Sequence, residues 1–133
     1  MLGDWKGRPL VSSWRDAEGL DLTPEGLPVV SFENQLRVMR FDADLRGTAM
    51  SPLPPMRIDS ENQVFEALAL DAAGRVVLIS EYPLKGESAA AVLRQSGEDW
   101  DRLGDLTLDG GFHPTGSDFA PDGSLIVLER RVG

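Results

Sequence analysis

Glutamates recur at a fixed interval in this sequence, and carboxylates at regular spacing can hold a cation. Glu18 and Glu66 lie 48 residues apart, as do Glu33 and Glu81, and Glu129 follows Glu81 by the same step. Carboxylates that lie close together raise one another's pKa unless a cation intervenes. Calcium and other hard metals prefer such oxygen ligands, and arginine pairs with carboxylates through two hydrogen bonds. The pattern therefore predicts either a centre that binds metal or substrate, or a structural lattice of ion pairs.

Three arginines and one histidine supply the complementary chemistry. Arg15, Arg130 and Arg131 adjoin the glutamate motifs, so they are candidates for the lattice or for binding an anionic substrate. His113 is the only histidine of the chain. It is a candidate general acid–base group, because imidazole titrates near neutral pH, or else a polar residue before a turn at Pro114.

Other chemistries are excluded by composition and motif. The chain has no cysteine, so it forms no disulfide and has no thiolate ligand or cysteine nucleophile. A single histidine cannot build a histidine-rich zinc site within one chain. Neither a Gly-x-Ser-x-Gly elbow nor a glycine-rich phosphate loop is present.

The glutamates belong to a larger repeat that has to position them. Residues 16–33, 64–81 and 113–129 align with one another, in steps of 48 and 49 residues. Within the alignment Glu18 and Glu66 coincide with Thr115. A turn with glycine in its last position occupies the middle of each unit, at Thr23–Gly26, Asp71–Gly74 and Ala120–Gly123.

Each unit is predicted to be a β-hairpin. Polar and apolar residues alternate before the turn, and runs rich in β-branched residues follow it, as at Val76 to Ile79. Further strands are predicted at Leu36 to Phe41, Ala89 to Gln95 and Trp100 to Leu108. In a hairpin the start of the first strand and the end of the second meet, so the repeated glutamates are expected to gather at one rim.

A repeat of this length favours an all-β fold, a β-propeller fragment of four-stranded antiparallel sheets. A β-sandwich is the alternative. Dividing 133 residues by 48 gives about 2.8 blades, fewer than the four or more of a closed propeller. The predicted units are a single partial domain, 1–133, with repeats at about 16–63, 64–112 and 113–133, and with 1–15 as the outer strand of a preceding blade. The open edges predict either missing blades of the same chain or self-association.

The net charge and the hydropathy of the chain argue against two kinds of partner, nucleic acid and the membrane interior. The formal charge of −9 argues against nucleic acid, which needs a basic surface. No apolar run approaches the length of a membrane span, so no membrane insertion is expected. The N-terminal residues lack the pattern of a signal peptide, which predicts a cytoplasmic location if the sequence is the whole protein.

Four segments carry a resemblance to a known family. Arg15 to Leu22, Phe65 to Leu70, Gly111 to Gly116 and Leu125 to Arg131 look like the motifs of the phytase-like family, described as having esterase-like activity of phytase. The resemblance covers nearly the whole chain. It implies a bacterial propeller about twice this length, often exported and so periplasmic, that hydrolyses carboxylic or phosphoric esters. Propeller phytases use calcium, although their ligand motif is not evident here.

The leading hypothesis is therefore a hydrolase of small ester or phosphoester substrates. Calcium or another divalent cation would be held by Glu18 and Glu66, with Glu33, Glu81 and Glu129 as further candidate ligands. Arg15, Arg130 and Arg131 would bind the anionic group of the substrate, and His113 would be catalytic. The alternatives are a non-enzymatic binding or scaffold propeller with a structural rim, and a lactonase-like metal-dependent propeller.

Overall fold

A computed structural model describes residues 3–4, 17–32, 37–49, 65, 67–81, 83, 88–108 and 110–131. These residues form β-strands, turns and loops, with no helix among them. No helix in this described part of the chain is long and apolar enough to cross a membrane.

The strands form three sheets that follow one another along the chain. The first sheet contains β1 (Gly3–Asp4), β2 (Ala17–Leu22), β3 (Pro28–Phe32), β4 (Arg37–Phe41) and β5 (Arg46–Ala49). The second contains β6 (Ala67–Leu70), β7 (Val76–Ile79), β8 (Ala89–Ser96) and β9 (Asp99–Thr107), and the third contains β10 (His113–Phe119) and β11 (Leu125–Arg130). Strands β2 to β5 and β6 to β9 are antiparallel meanders, and β10 pairs antiparallel with β11. This all-β architecture is the predicted one, and it is consistent with a propeller fragment.

The short strand β1 pairs parallel with β5 at the outer edge of the first sheet. The sequence placed residues 1–15 in the outer strand of a preceding blade; Gly3 and Asp4 are the two of these residues that the structure describes. The predicted blade limits stay predictions.

All three predicted turns close their hairpins in the same way. In each, the glycine N–H donates to the first turn residue, at 2.8 Å from Gly26 to Thr23 and 2.9 Å from both Gly74 to Asp71 and Gly123 to Ala120. The three glycines have φ between 78° and 90°, a conformation that costs glycine little. Such turns fix the hairpin register, and so they decide which residues reach the opposite end.

Apolar layers lie between successive sheets. Val29 and Val38 of the first sheet pack against Leu68 and Leu78 of the second. On the other side of the second sheet, Ile79 and its neighbours pack against Leu125 and Val127 of the third. Strand β7 is buried on both faces, as its unbroken apolar run predicts for a central strand.

Candidate functional site

The first strands of the three hairpins, β2, β6 and β10, lie side by side, with β6 in the middle. Strand β6 contacts both β2 and β10. The Asp71–Gly74 turn and the Ala120–Gly123 turn line one cleft, so these two hairpins point the same way. The opposite ends of the hairpins, at residues 17–19, 31–32, 80–81, 113–116 and 128–131, are called the rim below.

Two aligned residues of the rim occupy β-bulges. Ala17 pairs with Phe32 and Gly19 with Ser31, so Glu18 is the extra residue of β2. The register shifts at the same place in β10, where Thr115 is the extra residue. Bulges turn a side chain away from its regular direction and are frequent next to active sites. Glu18 and Thr115 therefore share backbone geometry as well as sequence position.

The sequence carried a signal for these bulges that the strand prediction did not use. Glycine directly follows the bulged residue in both hairpins, at Gly19 and Gly116. Glycine inside a strand pattern often marks a bulge.

His113 joins the second and third sheets at the rim. Its Nδ1 lies 3.1 Å from the carbonyl oxygen of Glu81. A carbonyl oxygen only accepts hydrogen bonds, so Nδ1 carries the proton that it donates. In the neutral ring, Nε2 then holds the lone pair and is the nitrogen that can accept a proton. The next residue, Pro114, is fully buried and anchors the start of β10.

The third hairpin brings cations to the rim. Arg130 pairs in register with His113 across β10 and β11. Counted from the turn glycine, Arg130 is seven residues after Gly123, as Glu81 is after Gly74. Glu129, which pairs with Pro114, therefore lies one position before the site of Glu81. A cation thus stands in the third hairpin where the second has a carboxylate.

Arg131 continues the basic end of β11. Its guanidinium carbon lies 5.4 Å from the centre of the Phe112 ring. This cation–π contact holds the exposed Arg131 against Phe112, the residue before His113 in the sequence, without neutralising its charge. The end of the third hairpin thus carries two exposed arginines, Arg130 and Arg131, each of which can bind an anionic group.

The predicted metal centre lies only partly within the described residues. Arg15, Glu33 and Glu66 are outside them. Within them, no group of three or more His, Asp and Glu side chains is arranged to hold a metal ion. The carboxylates of Glu18, Glu81 and Glu129 have the oxygen chemistry that calcium prefers, but these three do not assemble a site by themselves.

The turns of the second and third hairpins, at the ends away from the rim, form a cleft of about 510 Å³ that the sequence did not predict. It lies between two turns, and Asp71, Arg75 and Phe119 contribute to its lining. Asp71 Oδ2 accepts a hydrogen bond of 2.8 Å from Arg75 Nε. Burial raises the pKa of Asp71, but hydrogen bonds from the Arg75 backbone and side chain, together with the Arg75 charge, hold that pKa below 3.8. The pair is thus ionised at neutral pH, and the cleft has no net charge from it.

The family model named Phytase-like, with the description esterase-like activity of phytase, matches residues 1–133. This chain belongs to the phytase-like family. A search among curated proteins finds no match.

Three of the four phytase-like motifs include rim residues. Glu18 and Gly19 form the bulge of β2, and the sequence from Glu129 to Arg131 ends the third hairpin. His113 and Thr115 come from a third motif, at the start of β10. Three of the four segments that carried the family resemblance therefore reach the ends of the hairpins opposite the turns, and Phe65 to Leu70 contains none of the rim residues.

Proposed function

We propose that this phytase-like chain is part of an enzyme that hydrolyses carboxylic or phosphoric esters at the rim. The observation that carries the proposal is the placement of His113, whose Nδ1 is held by the Glu81 carbonyl and whose register partner is Arg130. A histidine whose Nδ1 donates to a carbonyl oxygen and whose register partner is an arginine combines a candidate general base with a cation that can bind an anion.

The reaction uses water as the nucleophile. His113 Nε2 takes a proton from water while the water oxygen attacks the carbonyl carbon or the phosphorus. The bond from that centre to the alcohol oxygen then breaks, and the imidazolium returns the proton to the departing alcohol. Arg130 and Arg131 bind the negatively charged oxygens of a phosphoester, and Arg15 is a further candidate for this role.

A divalent cation such as calcium belongs to this proposal through the carboxylates of Glu18 and Glu66. When bound, such an ion polarises an ester oxygen as a Lewis acid. In the same hypothesis, further candidate ligands of this ion are Glu33, Glu81 and Glu129.

The test of the base is His113→Asn. The Asn amide can still donate to the Glu81 carbonyl, but it cannot accept a proton from water. We expect the melting temperature to stay close to that of the native chain while kcat for p-nitrophenyl acetate and p-nitrophenyl phosphate falls by about 10² or more. If the native chain turns over neither ester above the rate of the folded His113→Asn variant, the proposed function is wrong and the rim is structural.

The anion site is tested with Arg130→Gln against Arg102→Gln. Arg102 is an exposed arginine of β9 that pairs with Asp105 at 2.7 Å, so it is a matched loss of charge away from the rim. The Arg130 variant should raise KM for the phosphate ester more than for the neutral acetate ester, and the Arg102 variant should leave both unchanged. Equal effects of the two variants would remove Arg130 from the substrate site.

A further inference from the structure

The third sheet presents an exposed face made by one carboxylate and two large apolar side chains. Asp118 of β10 pairs with Ile126 of β11, so their side chains share a face of the hairpin, and Leu128 lies on that face two residues later. Ile126 and Leu128 are 60% and 67% exposed. Leu125 and Val127 point the other way and pack against the second sheet. Asp118, Ile126 and Leu128 are called the acceptor face.

The repeat shows what covers such a face. The equivalent residues of the first sheet are Asp21, Val29 and Ser31, each 97 positions earlier (118 minus 21 for the aspartates). Asp21 Oδ2 accepts a hydrogen bond of 2.8 Å from the backbone N–H of Leu70 in the second sheet. Ser31 Oγ donates to the carbonyl oxygen of Phe65 at 2.9 Å, and Val29 is fully buried. The first strand of the next sheet and the residues around it therefore cover this face.

Asp118 already makes half of the same arrangement. Asp21 Oδ1 accepts from the N–H of the following residue, Leu22, at 2.7 Å. Asp118 Oδ1 accepts from the N–H of Phe119 at 2.9 Å in the same way. The second bond, from a neighbouring sheet to Oδ2, is the one that Asp21 makes and that Asp118 does not make with any described residue. Asp118 Oδ2 lies on an exposed face, so it is suited to accept a hydrogen bond from a backbone N–H of another sheet.

The complementary surface lies at the other end of the chain. Leu68 and Leu70, which cover the first sheet, are 2% and 8% exposed. Their equivalents 48 residues earlier are Leu20 and Leu22, which are 63% and 53% exposed. Val29 faces the second sheet, so the next residue, Val30, and its register partner Leu20 face away from it. Leu22 lies on the same face as Leu20, two residues later. Leu20 and Leu22 are called the donor face.

We propose that the acceptor face of one copy of this chain binds the donor face of a second copy. The contact repeats the one between the first and second sheets: Leu20 and Leu22 cover Ile126 and Leu128, and Asp118 Oδ2 accepts the N–H of Leu22. That N–H exchanges its exposed local bond to Asp21 for the new one. Two copies related by a two-fold axis make this contact twice and close a ring of six sheets, within the four to eight of known propellers.

The test measures the oligomeric state of the 133-residue chain by sedimentation velocity. The native chain should be a dimer that dissociates on dilution. Leu20→Asp with Leu22→Asp removes the donor face, and Ile126→Asp with Leu128→Asp removes the acceptor face. Each variant alone should be monomeric, and an equimolar mixture should recover a dimer, because one intact face remains on each partner. Leu103→Asp, at an exposed leucine of β9 on neither face, should stay dimeric.

Asp118→Asn gives a milder variant that keeps both apolar faces. Loss of the charged acceptor should raise the dimer dissociation constant about tenfold or more. Circular dichroism and the melting temperature establish that each variant is folded. A native chain that remains monomeric at high concentration, or folded variants that stay monomeric when mixed, would overturn the proposal. A monomer would assign the acceptor face to a further sheet of a longer polypeptide.

Discussion

At the scale of single residues, backbone conformation explains why glycine recurs in the turns. Gly26, Gly74 and Gly123 all have positive φ, and a β-carbon built on any of them would meet no atom within 4 Å. Glycine is therefore favoured at these positions by the backbone conformation and not by crowding around the residue. Leu45 occupies the same place in the turn between β4 and β5, with φ of 60°. It is the one non-glycine residue with positive φ among those described. That turn carries the strain that the other three avoid.

This difference gives a prediction for Gly74→Ala. Alanine at φ of 78° should lower the free energy of unfolding by about 1 kcal/mol, because an L-residue pays for the left-handed conformation. Gly104→Ala is the matched control: Gly104 also has open space around it, but its φ is not positive. Urea unfolding of both variants checks this. A Gly104 variant that loses as much stability as the Gly74 variant would show that the turn conformation is not the cause.

The turns also mark the limit of prediction at this scale. Thr23–Gly26 and its two counterparts were predicted because glycine stands at the one position that requires it. The turn that ends at Leu45 has no glycine and was not predicted, although it contains the acidic residues Asp42 and Asp44. The structure shows what the first of these does: Asp42 Oδ1 accepts N–H groups of Asp44 and Arg46 at 2.9 and 3.0 Å.

At the scale of elements, strand positions could be predicted and contacts between sheets could not. The predicted strands at Leu36 to Phe41, Ala89 to Gln95 and Trp100 to Leu108 are confirmed within a residue or two as β4, β8 and β9. Alternation and β-branched residues are local signals, so they suffice for these strands. The bulge at Glu18 and the bond from Leu70 to Asp21 depend on register and on a neighbouring sheet. The bulge has one local signal, Gly19 directly after Glu18, whereas the bond between the sheets has none in the local pattern.

The bond between the first two sheets predicts the effect of Asp21→Ala. The N–H of Leu70 lies in a buried strand and would lose its acceptor, so the variant should lose about 1.5 to 3 kcal/mol of unfolding free energy. Asp118→Ala removes the same local bond to the following N–H, but it removes no bond to another sheet among the described residues. Chemical denaturation of both at low concentration separates the two contributions. Equal losses would mean that the bond between sheets adds nothing.

At the scale of the whole molecule, the second sheet connects the other two. One of its faces shares an apolar layer with the first sheet, and the other face shares a layer with the third. Arg40 of the first sheet also donates from Nη2 to the Gly74 carbonyl oxygen of the second at 3.0 Å. The succession of antiparallel sheets was predictable because the repeat runs through the sequence, and the family because four segments resemble its motifs. The distribution of charge at the rim was not predicted, because the even spacing of the glutamates put Glu129 in the place of Glu81, whereas the count from the turn glycine puts Arg130 there.

A shared central sheet predicts that the described structure unfolds as one unit. Leu78 is fully buried in the layer between the first and second sheets, so Leu78→Ala should cost about 2 to 5 kcal/mol by leaving a cavity. Leu103→Ala, at a half-exposed leucine of β9, should change stability by less than about 0.5 kcal/mol. Trp100 packs against the same layer as Leu78, so tryptophan fluorescence and circular dichroism should report one coincident transition in the Leu78 variant, shifted to lower denaturant. Two separate transitions would contradict this account, because they would show that the sheets keep their structure when the layer between them is weakened.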